Sequence, residues 1–237
     1  MAIKHVSSGH QQMLVDSQYE NDISFDSFEA DFWRKRNAIT GQAKGRGTTL
    51  FLKTGEHNWV LRHYRRGGLP GKILSDQYLY SGVEKTRPFC EFRLLTTMRE
   101  MGLNVPEPIA ARAVQSGLVY RGDLITAMIP GSDDLHAMLC RAPVSPDLWH
   151  DIGIAVAKMH RAGVYHHDLN VRNVMVDNAP TVWIIDFDRC EFRAGDSWKS
   201  QNIARFLRSL EKEKNKNKQF HWQKSDWEAF IDGLMSA

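Results

Sequence analysis

The stretch YHHDLNVRNVMVDNAPTVWIIDFDRC, from Tyr165 to Cys190, constrains this chain more than any other. Asp168, Asn173, Asp186 and Asp188 all stand within it. Asp168 follows Tyr-His-His, and Asp186 closes the apolar run Val-Trp-Ile-Ile. A carboxylate set against a core strand is costly unless its lost hydration is offset. The expectation is that these oxygens hold something.

The rest of the composition narrows the setting. A chain of 237 residues makes one large domain or two small lobes. Its 42% hydrophobic and 25% charged residues fit a folded, soluble protein. Cys90, Cys140 and Cys190 are far apart with no Cys-x-x-Cys, so neither a zinc site nor a disulfide framework is indicated, and a reducing compartment fits. The opening MAIKHVSSGHQQMLVDS lacks the apolar core of a signal peptide. No apolar run approaches the roughly 20 residues of a membrane span. A cytosolic protein is expected. The net charge of +3 says little. The basic clusters Arg34–Arg36, Arg62–Arg66 and Lys212–Lys218 read most simply as solvated faces.

Along the chain, Ser27 to Asn37 predicts a short helix carrying Phe28, Phe32 and Trp33. Leu50-Phe51-Leu52 and Trp59-Val60-Leu61, with Gly55 between, predict a hairpin. Gly41, Gly45 and Gly47 precede it, and glycines allow backbone amides to approach and cradle phosphates. Residues 87 to 102 predict a helix, with Pro88 at its start and Gly102 at its stop. Glu91 shares a face there with Leu94, Leu95 and Met98, so it needs a cation. Leu124 to Ile129 predicts a strand, and Ser145 to Arg161 a helix ended by Gly163. The tail predicts two helices, Ser197 to Leu210 and Ser225 to Met235, joined by the lysine run as a loop. The first half is mostly β and the second mostly helical, with a boundary near Pro130.

His166-His167-Asp168, Asn173 five residues on, and Asp186-Phe187-Asp188 after an apolar strand resemble the catalytic segment of the protein-kinase-like superfamily. That resemblance implies an α+β, two-lobed fold: a β-rich N-lobe over 1–130 and a small helical C-lobe over 131–237. It implies ATP and Mg²⁺. Asp168 takes the acceptor hydroxyl's proton, and Asn173 and Asp186 hold the metal. Glu91 matches the family's helix glutamate, and Arg62, in WVLRHY, stands where the family has a lysine. Arginine is not interchangeable with lysine, so this is a departure. The glycine spacing departs too, which leaves Gly45 and Gly47 as nucleotide ligands by position. The second triplet ends in Asp188, not glycine. No Ala-Pro-Glu follows, and the short remainder has no room for a large lobe that docks protein substrates.

GRGTTLFL, WVLRHYRRGGL, YHHDLNVRNVMVD and WIIDFDRC together resemble the 3-deoxy-D-manno-octulosonic acid (Kdo) kinases of lipopolysaccharide synthesis. The resemblance implies phosphorylation of the 4-hydroxyl of Kdo in Kdo–lipid IVA, by a peripheral enzyme on the cytoplasmic side of the inner membrane. The acceptor is anionic, and Arg65, Arg66 and Lys72 are candidates to meet its phosphates and carboxylate, with a gain from anionic lipid nearby; Leu69, Tyr78 and Tyr80 are candidates to touch acyl chains. His166 takes a structural role in the loop. A heptose kinase, or another small-molecule phosphotransferase of the same fold, is the neighbouring alternative. A pseudokinase is a further one, with Arg62 in its favour. No protein substrate is expected. Nucleic acid is not expected either, because the basic clusters are scattered.

Overall fold

The strands of the first part of the chain pair into one antiparallel sheet. The computed structural model describes residues 2–44, 48–65 and 76–237. Among these, the strands are β1 (Ile3–Ser8), β2 (Gln11–Asp16), β3 (Ile39–Lys44), β4 (Thr48–Thr54), β5 (His57–His63), β6 (Tyr78–Leu79), β7 (Pro108–Ser116) and β8 (Val119–Ala127). Their order is β1-β2-β7-β8-β5-β4-β3, with β6 on β8. Met1–Thr97 and Glu107–Met128 form one unit; Met98–Pro106 and Ile129–Ala237 form a second.

The predicted hairpin is present. β4 and β5 pair Leu50 with Leu61 and Leu52 with Trp59, and Gly55 turns between them at φ +56°. Side chains alternate across a strand. Leu50, Leu52, Trp59 and Leu61 therefore share one face, packed into a core with Val15, Phe28, Trp33 and Ile125. Burying one such large side chain contributes about 1.5–3 kcal/mol. The buried Trp33 indole donates to the Ser27 carbonyl at 2.7 Å. Ser27 to Asn37 is not one helix: a 3₁₀ turn (Phe25–Phe28) precedes the short helix α1 (Ala30–Arg34). Ser27 Oγ accepts from the Ser24 amide, which closes that turn and breaks the run.

Helix α2 (Arg87–Glu100) follows its predicted bounds closely, and Gly102 takes φ +77° just beyond its end. Phe89, Phe92, Leu95 and Met98 are buried along it, and so is Glu91.

The second unit holds the helices α3 (Leu135–Arg141), α4 (Pro146–Arg161), α5 (Lys199–Lys216) and α6 (Lys224–Ser236). Short strands join them: β9 (Asp133–Asp134), β10 (Val164–Tyr165), β11 (Val174–Val176), β12 (Val182–Ile184) and β13 (Glu191–Phe192). β11 lies between β12 and β9, and β10 pairs with β13. Ser145 caps α4 by accepting from the Leu148 amide, and Pro146 opens it, as a helix start favours. α4 and α6 meet through glycines. A Cβ on Gly153 would lie 2.1 Å from the Phe230 carbonyl oxygen, and one on Gly233 would lie 1.9 Å from that of His150.

The lysine run departs from expectation. α5 continues to Lys216, so Lys212, Lys214 and Lys216 are helical. Alternate lysines form no single face, but a helix end reaching solvent needs none. Glu213 takes Lys216, and Lys214 Nζ donates to the Phe220 carbonyl at 2.7 Å.

Candidate active site

Asp168, Asn173 and Asp186 belong to the second unit, and Arg62 and Glu91 to the first. The loop that carries Asp168 is built on His166, which is fully buried. The Asp168 amide donates to His166 Nδ1 at 3.2 Å. The proton therefore sits on Nε2, which donates to the Ile185 carbonyl at 3.0 Å. Burial pushes this imidazole's pKa down, so the ring is neutral. It stacks at a tilt on Phe187, with centroids 4.8 Å apart. One histidine thus ties Asp168 to the backbone next to Asp186.

Asn173 closes the same loop. Its Nδ2 donates to the Asp168 carbonyl at 2.9 Å, and its own carbonyl accepts from the Ile185 amide at 2.9 Å. An amide whose nitrogen is committed in this way presents its oxygen as a ligand. Asn170 adds a second bond to the Asp168 carbonyl, at 2.9 Å. Three bonds therefore fix the Asp168 backbone, and its carboxylate is left exposed.

Asp186 corrects the argument from desolvation. It follows the apolar run, but its side chain is exposed. The chain turns out of β12 before the carboxylate, and its backbone sits at φ +63°. The cost at Asp186 is thus conformational, because a non-glycine residue in the left-handed region is strained. The two next residues of that turn, Phe187 and Asp188, are buried and half-buried.

Arg62 and Glu91 meet. Arg62 Nη2 donates to Glu91 Oε2 at 2.5 Å, which gives the buried carboxylate the cation that its helix face demanded. Tyr64, two residues on and on the same strand face, donates its hydroxyl to the same oxygen at 2.6 Å. The residue between them, His63, points to the other face. Its Nδ1 lies 2.6 Å from Asp123, whose hydrogen bond raises the imidazole's pKa. Gly45, Gly47, Arg66, Leu69 and Lys72 lie outside the described residues. Arg65 is exposed. Tyr78 cannot meet an acyl chain: it is buried against Tyr120, with centroids 5.5 Å apart, and strand alternation exposes Leu79 instead.

Helix α5 supplies what the sequence did not show. Asn202, Arg205 and Ser209 lie on one helical face at i, i+3 and i+7. Buried Asn202 donates to the His166 carbonyl at 2.7 Å and accepts from the His166 amide at 3.3 Å. Ser209 Oγ accepts from the Val171 amide at 3.0 Å. Between them, Arg205 Nη1 lies 3.9 Å from Asp168 Oδ1. A polar stripe at helical spacing was the available signal. From the turn after Asp186, Cys190 Sγ accepts from the His167 amide at 3.2 Å.

The model of the lipopolysaccharide kinase (Kdo/WaaP) family matches residues 30–233. The chain belongs to that family. Among curated lipopolysaccharide kinase relatives, a protein of Vibrio parahaemolyticus named 3-deoxy-D-manno-octulosonic acid kinase is 44% identical, over 98% of this chain and 97% of its own. One of the same name from Haemophilus influenzae is 43% identical, over 84% and 85%. A crystal structure of WbdD, a bifunctional kinase-methyltransferase by its description, has the same fold with TM-score 0.52 at 15% identity. That likeness covers 83% of this chain and 46% of the WbdD chain.

The donor set in this family member suits Mg²⁺. An exposed carboxylate at Asp186 and an oriented amide oxygen at Asn173 are hard oxygen donors of the kind that could hold such an ion. Mg²⁺ commonly takes one or two protein ligands and completes its shell with water and phosphate oxygens.

Proposed function

We propose that this chain transfers the γ-phosphate of ATP to the 4-hydroxyl of Kdo in Kdo–lipid IVA. The observation that carries this reading is identity of 44% over nearly the whole length of a relative named as a Kdo kinase. In this reading Asp168 is the catalytic base. The three bonds to its backbone fix where its carboxylate starts from, and there it orients the sugar hydroxyl and takes its proton. Asn173 and Asp186 hold Mg²⁺. When bound, that ion draws charge from the β- and γ-phosphate oxygens. Arg62, set by Glu91 and Tyr64, meets the donor's phosphates, and Gly45 and Gly47 are assigned to the same phosphates. The 1–130 segment is the nucleotide-gripping lobe and 131–237 the catalytic lobe.

The proposed place of work is the cytoplasmic face of the inner membrane, by peripheral attachment. Among the described residues, no helix is long and apolar enough to cross a membrane. Exposed Arg65 and Leu79 offer an anionic lipid surface a cation and an apolar side chain.

Labelled ATP with Mg²⁺ and Kdo–lipid IVA tests the reading. Label should appear on the lipid with wild type and fall by a factor of about 10² to 10⁴ with Asp168→Asn. Label appearing only on a heptose-bearing core would move the activity to that sugar. No transfer to either acceptor would overturn the kinase reading.

A further inference from the structure

One arginine stands beside Asp168, and a second stands on the turn that meets the residue before it. Arg205 reaches Asp168 from α5, at 3.9 Å. Arg189 comes from the turn after Asp186. The bond from the His167 amide to Cys190 brings that turn against the residue preceding Asp168. His167 senses both guanidiniums: its pKa is lowered first by burial, then by the charges of Arg189 and Arg205. Asp168 and Asp188 act on it in the opposite direction.

Two neighbouring arginines of this unit are committed elsewhere. Arg172 pairs with Glu213, and Arg193 pairs with Glu191 and lies over the Tyr165 ring. Arg189 is exposed and, among the described residues, has no carboxylate at ion-pair distance. It also holds φ +61°, a conformation that glycine would adopt without strain. A strained, exposed arginine on the turn that packs against the residue before Asp168 is a feature that packing does not explain.

We infer that Arg189 and Arg205 form a carboxylate subsite that selects an acidic sugar acceptor. This inference rests on the Kdo reading above. In Kdo the carboxyl group sits on C2 and the reacting hydroxyl on C4 of one ring, so a hydroxyl at Asp168 brings the sugar's own carboxylate close to that aspartate. Two anions side by side repel unless cations stand with them. A planar guanidinium matches a carboxylate with paired donors. A neutral sugar needs no such cations.

The test compares Kdo–lipid IVA with the same acceptor carrying methyl-esterified Kdo. Wild type should prefer the free acid in kcat/KM. Arg189→Gly and Arg205→Gln should each cut that preference on the order of tenfold, as expected for loss of a hydrogen bond between charged groups. The change should fall mainly on KM. Arg189→Gly also relieves the strained φ, so its thermal midpoint should hold or rise, which separates lost recognition from lost folding. Arg161→Ala, an exposed arginine at the end of α4, should leave the preference unchanged. Equal use of acid and ester by wild type would overturn the subsite and leave the Kdo kinase standing. So would equal losses on both acceptors in the two variants. Transfer to neither acceptor would overturn the Kdo reading and the subsite with it.

Discussion

Asp168 and Asp186 are both exposed carboxylates, and they differ in what holds them. Asp168 is fixed by its neighbours' bonds to its backbone, whereas Asp186 is fixed by a left-handed turn. Their amide variants should therefore separate. Asp168→Asn should leave Mg-ATP binding nearly intact and lower transfer by a factor of about 10² to 10⁴. Asp186→Asn should weaken Mg-ATP binding itself, and asparagine tolerates φ +63° well enough to keep the fold. Titration calorimetry with Mg-ATP checks both, and equal loss of binding would contradict the split. At this scale much was legible. Asp168, Asn173 and Asp186 stand out by spacing, and Glu91 by a carboxylate on an apolar helix face that asks for a cation. Tyr64 was not singled out, although it lies on Arg62's strand face, because nothing local says which side chains Glu91 will meet.

At the scale of elements, α5 is the clamp on the loop that carries Asp168. Ser209→Ala removes one bond to the Val171 amide, at a cost of about 1 kcal/mol. The expected outcome is a fall in kcat of about fivefold with the KM for ATP unchanged, read by steady-state kinetics. α4 and α6 cross where their backbones nearly touch. Gly233→Ala would drive a methyl group into the His150 carbonyl, so it should destabilise the protein by about 1–3 kcal/mol, visible as a lower urea midpoint. The long helices and the hairpin were readable because their periodicity is strong. β1 and β2 were not, because exposed Lys4, His5, Ser7 and Ser8 give β1 no clear pattern. The clamp was hidden because Asn202 and Ser209 act on residues far away in sequence.

At the scale of the whole molecule, two buried histidines make stability depend on acid. His160 lies against Asn202 at 3.2 Å, and burial pushes its pKa down to about 4. His166 is lowered as well, also by burial. Above pH ~6.5 both are neutral, folded or unfolded, and their contribution is complete. As the pH falls from there toward 4, the unfolded chain takes up protons that the folded one refuses, and stability drops. For His160 alone the loss reaches roughly 3 kcal/mol. The urea midpoint should be lower at pH 5 than at pH 7. His160→Gln can still donate to Asn202, and it should flatten that dependence. The division into a β-rich half and a helical half was legible from the order of the elements. The assignment of Met98–Pro106 to the second unit was not, since those residues precede β7 and β8 of the first.

The grip of α5 on His166 and Val171 also sets an order of events. A ribosome releases the loop that bears Asp168 before it makes Asn202, Arg205 and Ser209. An unfinished chain therefore owns the acid but not the frame that aims it. On the roles proposed above, turnover waits for the later helix to dock, and a nascent polypeptide carrying these carboxylates is expected to be silent until then.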